Sequence, residues 1–206
     1  MLEKNNNVRG VDSVSKLILA LVIVSLCLWI FIINYKLWSQ KKLIVDLTKW
    51  HEIALTDSLT GIPNRAAYSS HIEKLKDNKV DSNVAIILFD IDDFKHINDT
   101  CGHLWGDKVL QDCAKMLCEV YSQSGCYVYR IGGDEFAAIC ENMPESYIIE
   151  SLLEIRRYEV QKIDFKLSKG YSFLNGKKDF SNMFNRADEM LYVDKASKSS
   201  HEKHFS

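Results

Sequence analysis

Two short acidic motifs are the residues of this sequence best suited to chemistry. Residues 132–136 read Gly-Gly-Asp-Glu-Phe, and residues 89–95 read Phe-Asp-Ile-Asp-Asp-Phe-Lys. In both motifs the carboxylates lie at the end of an apolar run that is typical of a β-strand. Two such groups on neighbouring strands can hold divalent metal against the phosphates of a nucleoside triphosphate. The two motifs together therefore predict phosphoryl chemistry.

The glycines of the second motif make room next to its acids, Asp134 and Glu135. Gly132 and Gly133 carry no Cβ atom, so the backbone can turn tightly and a ligand can approach closely. An ordinary acidic hairpin turn would have the same local sequence, and the motif alone leaves both interpretations open. The other motif, in which Asp90 ends a buried strand, favours a phosphoryl-transfer site.

Polar residues that could recognise a base follow the first motif. An aspartate can accept from the N1–H and N2–H₂ edge of guanine while an asparagine donates to an acceptor, so Asn98 and Asp107 could bind guanine. The alternative is that both side chains cap helices. Lys95 and Lys195 could offer positive charge to phosphates, although a lone lysine is usually a solvated surface residue.

Length and composition limit the other possibilities. The chain has 206 residues, enough for one domain of ordinary size and a short appendage. A formal net charge of −2 argues against a nucleic-acid partner, which would require a basic face. The six cysteines have no CxxC spacing. This argues against a zinc site or a disulfide framework and favours free thiols in a reducing compartment.

The N-terminal part contains an apolar run, residues 17–34, without a charged side chain. As a helix with a rise of about 1.5 Å per residue it would extend roughly 27 Å, close to the hydrocarbon thickness of a bilayer. Trp29, Tyr35 and Trp38 lie where interfacial aromatic residues are expected. A cleaved signal peptide, which would end in small residues, and a buried core helix are the alternatives. We expect a transmembrane helix over residues 17–35.

Positive charges on either side of this run suggest an orientation. They are slightly more numerous after the run than before it, which favours a cytoplasmic C-terminal domain. The sequence therefore predicts a single-pass protein of the bacterial cytoplasmic (inner) membrane, with the membrane itself as one partner.

The segment that follows, residues 36–55, predicts a helical linker. Its apolar residues recur at 4-3-4 spacing, at Leu43, Leu47, Trp50 and Ala54. Such a helix could pack on its own domain or pair with a second copy in a parallel two-stranded coil. Two heptads do not distinguish these alternatives.

The remaining sequence alternates between helix-like and strand-like segments. Asn64 can cap a first helix, and residues 84–89 are continuously apolar, as a strand buried on both faces would be. The later segments are helices over 94–101 and 105–121, a hairpin of strands 126–130 and 135–140, a helix from Pro144 to about 157, a strand over 163–174 with a bulge at Gly170, and a helix capped by Ser181 with Phe184, Ala187, Met190 and Leu191 facing inward. This order predicts an α+β fold, an antiparallel or mixed sheet with helices packed on it.

With these motifs in this order, the chain resembles the GGDEF family of diguanylate cyclases from about Thr56 to Lys195. The matching segments are DSLTGIPNR at 57–65, DIDDFKHIND at 90–99, Gly102-His103 with Gly106-Asp107, RIGGDEF at 130–136, and Ala187-Asp188 with Leu191-Tyr192 and Lys195. The resemblance implies a palm-like nucleotidyl cyclase fold that condenses two GTP into cyclic di-GMP and two pyrophosphates.

The resemblance also implies a role for each site residue. Catalysis would rest on Asp134, Glu135 and Lys95, and Mg²⁺ or Mn²⁺ would be held by Asp90, Asp134 and the Ile91 carbonyl. GTP would be bound by Asn98, Asp107, Gly132, Gly133 and Lys195. Each subunit would bind one GTP, so turnover would need a homodimer with two domains face to face.

The chain departs from the family pattern at two places. Lys198 and Ser199 occupy positions where the family often has Gly-Arg, with the arginine on phosphate. Gln123 and Cys126 occupy the positions of the Arg-x-x-Asp motif of product-inhibited members, which predicts no inhibitory site. A catalytically silent receptor or scaffold is the alternative function, but silent members typically lose the acids that this chain keeps.

The predicted domain organisation follows from these assignments. It consists of a short N-terminal tail at 1–16, the transmembrane helix at 17–35, the helical linker at 36–55, the GGDEF catalytic domain at 56–198 and a C-terminal tail at 199–206.

Overall fold

The computed structural model describes residues 3–77, 83–174 and 180–202. The chain divides into two compact units, Met1–Glu52 and Ile53–Ser206. The elements are α1 (Glu3–Leu55), α2 (Arg65–Asp77), β1 (Val84–Ile91), α3 (Phe94–Cys101), α4 (His103–Val120), β2 (Cys126–Arg130), β3 (Glu135–Glu141), α5 (Glu145–Gln161), β4 (Leu167–Leu174) and α6 (Phe180–Glu202). After α1, their order is the one that the sequence predicts.

Helix α1 is continuous through the apolar run and the predicted linker. Within the residues described, no helix combines the length and the apolar character needed to cross a membrane. The transmembrane helix predicted for residues 17–35 is therefore not supported, and neither is the single-pass placement in the inner membrane that depended on it. Among the side chains of the predicted linker, Leu43 is 59% exposed and Trp50 is 69% exposed.

The sheet of the second unit has the strand order β2-β3-β1-β4, and every neighbouring pair is antiparallel. All eight residues of β1 are buried. One face of β1, with Ile87 and Phe89, packs towards α4 and α5, while Ile86 and Leu88 pack on the other face with α2 and α6. A continuously apolar sequence is required because both faces are covered. The predicted α+β class with an antiparallel sheet is confirmed.

One polar cap and one glycine define helix ends near the sheet. The Oδ1 atom of Asn64 accepts the N–H groups of Ala66, at 2.9 Å, and Ala67, at 3.2 Å, as expected of an N-cap residue. Gly102 has φ 85°, a conformation that favours glycine, and it separates α3 from α4. These local signals confirm the predicted cap and the predicted end of α3.

The last strand, β4, differs from its prediction in two respects. It begins at Leu167 rather than at residue 163, and its register with β1 continues unbroken through the pair of Gly170 and Leu88, so there is no bulge. Gly170 serves a different purpose. A Cβ atom there would collide with the backbone of α6 at Ala187 and Leu191. The missing side chain therefore lets α6 lie directly on β4.

Helix α6 confirms two of the four residues predicted to face inward, Ala187 and Leu191. Met183, Ala187 and Leu191 are buried, whereas Phe184 and Met190 are 40% and 46% exposed. The prediction that Phe184 and Met190 face inward is therefore wrong. The three buried residues are spaced four apart, and the helix backbone at Ala187 and Leu191 approaches the sheet at Gly170. The described part of α6 begins at Phe180, and the side chain of the predicted cap, Ser181, lies outside the described residues.

Candidate active site

The ends of β1 and β3 bring the two acidic motifs together. In the antiparallel register Asp90 lies opposite Glu135, and the N–H of Ile91 donates to the backbone carbonyl of Asp134 at 3.2 Å. Directly opposite residues in such a ladder have Cβ atoms about 5 Å apart. Three carboxylates therefore converge at one end of the sheet, on adjacent strands as the motifs require.

The buried member of this group is Asp90, which is only 7% exposed. Its Oδ2 atom accepts from Lys195 Nζ at 2.7 Å. Burial raises the pKa of Asp90 above its usual range, Lys195 opposes this through its hydrogen bond and charge, and the charges of Asp134 and Glu135 raise it further. The acids thus repel one another, and a cation between them would relieve that repulsion.

These residues fit a divalent metal of the Mg²⁺ type. In the described part of the chain, no group of three or more His, Cys, Asp or Glu side chains is placed to hold a metal ion by itself. Mg²⁺ is commonly held by one or two carboxylates while substrate phosphates and water complete its shell. Asp90, Asp134 and the Ile91 carbonyl supply that kind of incomplete oxygen set.

A cleft of about 940 Å³ opens over this end of the sheet. Five predicted site residues line it: Asp90, Ile91, Lys95, Asp134 and Lys195. Lys95 lies in the first turn of α3, and Lys195 lies on α6. The cleft therefore combines acidic groups with lysines from two helices distant in sequence, α3 and α6, as a site for a metal and phosphates would.

Glu135 and the two glycines form the hairpin tip beside the cleft. A Cβ atom on Gly132 would collide with the side chain of Glu135, whereas one on Gly133 would meet nothing within 4 Å. Neither glycine has positive φ. The absence of a side chain at Gly132 leaves room for the side chain of Glu135. The surface at Gly133 is open.

The hairpin tip is held by an arginine to which the sequence analysis gave no role. Arg130 donates to the carbonyl of Gly133, with Nη2 at 2.6 Å and Nε at 3.2 Å, and its Nη1 lies 2.9 Å from Asp57 Oδ1. Asp57 also accepts from the N–H and the hydroxyl of Thr60. Burial acts to raise the pKa of Asp57, but the hydrogen bonds from Thr60 and Arg130 outweigh it and lower the pKa. The arginine thus connects the tip to the loop before α2.

A second network, also missed, surrounds Lys198. Its Nζ atom lies 2.9 Å from Asp92 Oδ2, 3.1 Å from Asp194 Oδ2 and 2.6 Å from the carbonyl of Leu167. Burial acts to lower the pKa of Lys198, but the hydrogen bonds and charges of Asp92 and Asp194 raise it overall. This ammonium already has its full set of acceptors, so it fixes the loop after β1. The side chain of Ser199 lies outside the described residues.

The proposed guanine-binding residues lie on two adjacent helices outside the lining of the cleft. Asn98 is half-buried on α3, and Asp107 is exposed on α4. Any side chain at Gly106, next to Asp107, would collide with the Asn98 side chain. The glycine therefore lets the two helices approach closely and brings Asn98 near Asp107. The alternative interpretation, in which Asn98 and Asp107 cap helices, is not supported, because the two residues lie within α3 and α4 and not at their ends.

Comparisons with known proteins agree with this architecture. The model of the diguanylate cyclase GGDEF domain matches residues 54–201. The probable diguanylate cyclase DgcI of Escherichia coli K12 is 34% identical over 152 residues, covering 74% of this chain and 34% of that protein. Diguanylate cyclase DgcN of the same strain is 38% identical over 119 residues, covering 57% and 29%. The chain thus spans about a third of the length of these relatives.

A solved structure supports the fold. The coiled coil and GGDEF domain of DgcB from Caulobacter crescentus, in complex with c-di-GMP, superposes with a TM-score of 0.70 at 24% identity. The match covers 77% of this chain and 90% of that one. Together with the family match, these similarities show that the chain belongs to the GGDEF-domain family of diguanylate cyclases.

Proposed function

We propose that this chain is a diguanylate cyclase that condenses two GTP into cyclic di-GMP and two pyrophosphates. The observation that carries the proposal is the β1–β3 register, in which Asp90 lies opposite Glu135 and next to Asp134. A silent receptor or scaffold would not need these acids to converge, and their mutual repulsion would only destabilise it. The intact acidic group therefore favours the enzyme.

In the proposed reaction, the 3′ hydroxyl of one GTP attacks the α-phosphorus of the other. The hydroxyl gives its proton to water, the new P–O bond forms, and the bond from the α-phosphorus to the bridging oxygen breaks, so that pyrophosphate leaves. Mg²⁺ or Mn²⁺, when bound, would neutralise charge on the phosphate oxygens. The same displacement, repeated with the roles of the nucleotides exchanged, closes the ring.

Each residue then has a definite task. Asp90, Asp134 and the Ile91 carbonyl hold the metal, and Glu135 completes the acidic site. Lys95 and Lys195 bind phosphates, Asn98 and Asp107 bind guanine, and Gly132 and Gly133 leave space for the α-phosphate. Lys195, whose Nζ lies 2.7 Å from Asp90 Oδ2, would compete with the metal for that carboxylate and can turn to phosphate instead.

The productive species in this proposal is a homodimer, because each domain of residues 56–198 supplies one GTP. The exposed Leu43 and Trp50 side chains on α1 support pairing through the segment 36–55, since a second copy would cover them. Tethering two domains in this way raises their effective concentration, to the millimolar range for short linkers.

The direct test incubates the purified full-length chain with GTP and Mg²⁺ or Mn²⁺ and identifies the product by mass spectrometry. Cyclic di-GMP and pyrophosphate should form. Asp134→Ala should reduce turnover by orders of magnitude, while Asp112→Ala, an exposed acid on α4, should not. GTP binding without product would favour the silent receptor, and full activity of Asp134→Ala would refute the site.

We also propose that the enzyme lacks tight product inhibition through the position of Gln123 and Cys126. Neither residue carries the charge that an arginine or an aspartate would offer. The loss of two charged contacts, each worth about 1.5–3 kcal/mol, should weaken the binding of cyclic di-GMP by roughly two to four orders of magnitude. Titration of cyclic di-GMP into the protein, by calorimetry and by initial rate, should show no submicromolar inhibitory site.

A further inference from the structure

Two cysteines face each other across the hairpin that carries part of the active site. Cys126, the first residue of β2, is the register partner of Cys140 in β3. The N–H of Cys126 donates to Gln123 and not to β3, while the N–H of Glu141 donates to Gly125. The cysteines therefore form a non-hydrogen-bonded pair, the narrow kind, in which Cα atoms are about 4.5 Å apart.

This separation lies within the range in which a disulfide can form without backbone movement, about 4.4–6.8 Å between Cα atoms. The thiols also lie on the same side of the sheet, because directly opposite residues share a face. No other register pair in the described sheet joins two cysteines. The arrangement is thus particular to Cys126 and Cys140.

The two thiols differ in access and acidity. Cys126 is half-buried, whereas Cys140 is 1% exposed. The hydrogen bond from Cys140 lowers the pKa of Cys126, burial opposes this, and a further hydrogen bond with Tyr147 lowers it again. The hydrogen bond with Cys126 and burial raise the pKa of Cys140. Cys126 is therefore the more accessible and the more acidic of the two thiols, and the one that an oxidant would meet first.

We propose that Cys126 and Cys140 form a reversible disulfide in response to peroxide. The Cys126 thiolate attacks one oxygen of hydrogen peroxide and becomes a sulfenic acid while hydroxide leaves. The Cys140 sulfur then attacks the Cys126 sulfur, the S–S bond forms, and the sulfenic oxygen leaves as water. In total, two thiols lose two protons and two electrons, and one peroxide becomes two waters.

The disulfide would close the base of the β2–β3 hairpin, at the end opposite to Asp134 and Glu135. Closing this short loop restricts the unfolded chain, so the oxidised form should be the more stable one. The proposal is independent of the cyclase reaction, because it concerns thiol chemistry that can be measured without GTP.

The experiment oxidises the reduced, full-length chain with an equimolar amount of hydrogen peroxide at neutral pH. Peptide mapping without reductant should find a peptide linked through Cys126 and Cys140, and dithiothreitol should restore both thiols. The midpoint of thermal unfolding should rise by roughly 5 °C on oxidation and fall again on reduction. Cys118→Ser removes an exposed cysteine on α4 and should retain the link.

Variants distinguish the order of the two steps. Cys140→Ser should stop at the sulfenic acid of Cys126, which dimedone captures, and Cys126→Ser should form no link. Wild-type protein in which both thiols stay free, or in which Cys101 or Cys118 is oxidised first, would overturn the proposal. Because the wild-type map alone decides this, the proposal does not depend on either variant folding.

Discussion

Lys195 on α6 holds Asp90, at the end of the central strand, through a 2.7 Å ion pair. The same helix holds Asp92 two residues later through Lys198, at 2.9 Å. Two lysines of α6 therefore hold the acidic residues at the end of β1. The acceptors of Lys198 all belong to the protein, whereas Asp90, the acceptor of Lys195, would also bind a metal. The proposed site therefore contains a built-in competition between an ammonium group and a divalent ion.

Replacement of Lys195 by methionine should separate metal binding from turnover. Asp90 loses its competing ammonium, so the affinity for Mn²⁺ without nucleotide should rise by about 5- to 10-fold. Turnover should nevertheless fall, because a phosphate contact is lost. Electron paramagnetic resonance of free Mn²⁺ measures the first effect. Lys74→Met, on the exposed last turn of α2, is the control. Weaker Mn²⁺ binding in Lys195→Met would contradict the competition.

Guanine selectivity should depend on Asn98 and Asp107. A site that pairs donors and acceptors rejects analogues that leave its groups unpaired, so the wild type should use ATP poorly. Asp107→Ala should raise the KM for GTP by roughly 10-fold or more and reduce the preference for GTP over ATP. Asp99→Ala, an exposed neighbour on α3, should leave both unchanged. Efficient use of ATP by the wild type would refute the assignment.

Asp57 should stabilise the domain above its ordinary pKa of 3.8. The folded state lowers this pKa, so the contribution is present at neutral pH and disappears as the pH falls through the lower, folded value. Asp57→Asn should cost about 2 kcal/mol at pH 7, because Arg130 loses a charged acceptor. Urea unfolding at pH 7 and near pH 3 should show a smaller difference from wild type at pH 3 than at pH 7. An equal difference at both would rule out the ion pair as the cause.

The close approach of α6 to β4 predicts a large effect at Gly170. In Gly170→Ala the new methyl group meets the α6 backbone, which must shift, so the free energy of unfolding should fall by about 1–3 kcal/mol. Gly133→Ala adds the same methyl group in open space and should leave stability unchanged. Urea unfolding of the two variants side by side is the measurement. Equal stabilities would show that α6 can move away at no cost.

The sequence was sufficient for most of the fold because its signals there are local. The cap at Asn64, the apolar β1 and the two-strand hairpin each depend on neighbouring residues, and all three are confirmed. Gly170 was misread as a bulge because a glycine in a strand gives no sign of which element approaches it.

The networks around the site could not be predicted in the same way. Arg130 meets Asp57 across 73 positions of the sequence, and Lys198 meets Asp92 across 106. No periodicity connects such pairs. The only signal for Arg130 and Asp57 was that both lie in segments shared with the GGDEF family. Lys198 stood out only as a departure from that family, and its partners follow from the way α6 lies on the sheet.

The position of β1 has a consequence for synthesis of the chain. This strand is made first, and both of its neighbours come later, β3 from Glu135 and β4 from Leu167. While the ribosome adds those residues, a strand with seven apolar residues out of eight has two unpaired edges, the arrangement most prone to intermolecular pairing. A nascent chain that stops before β4 would keep one edge open and would be a natural client for chaperones.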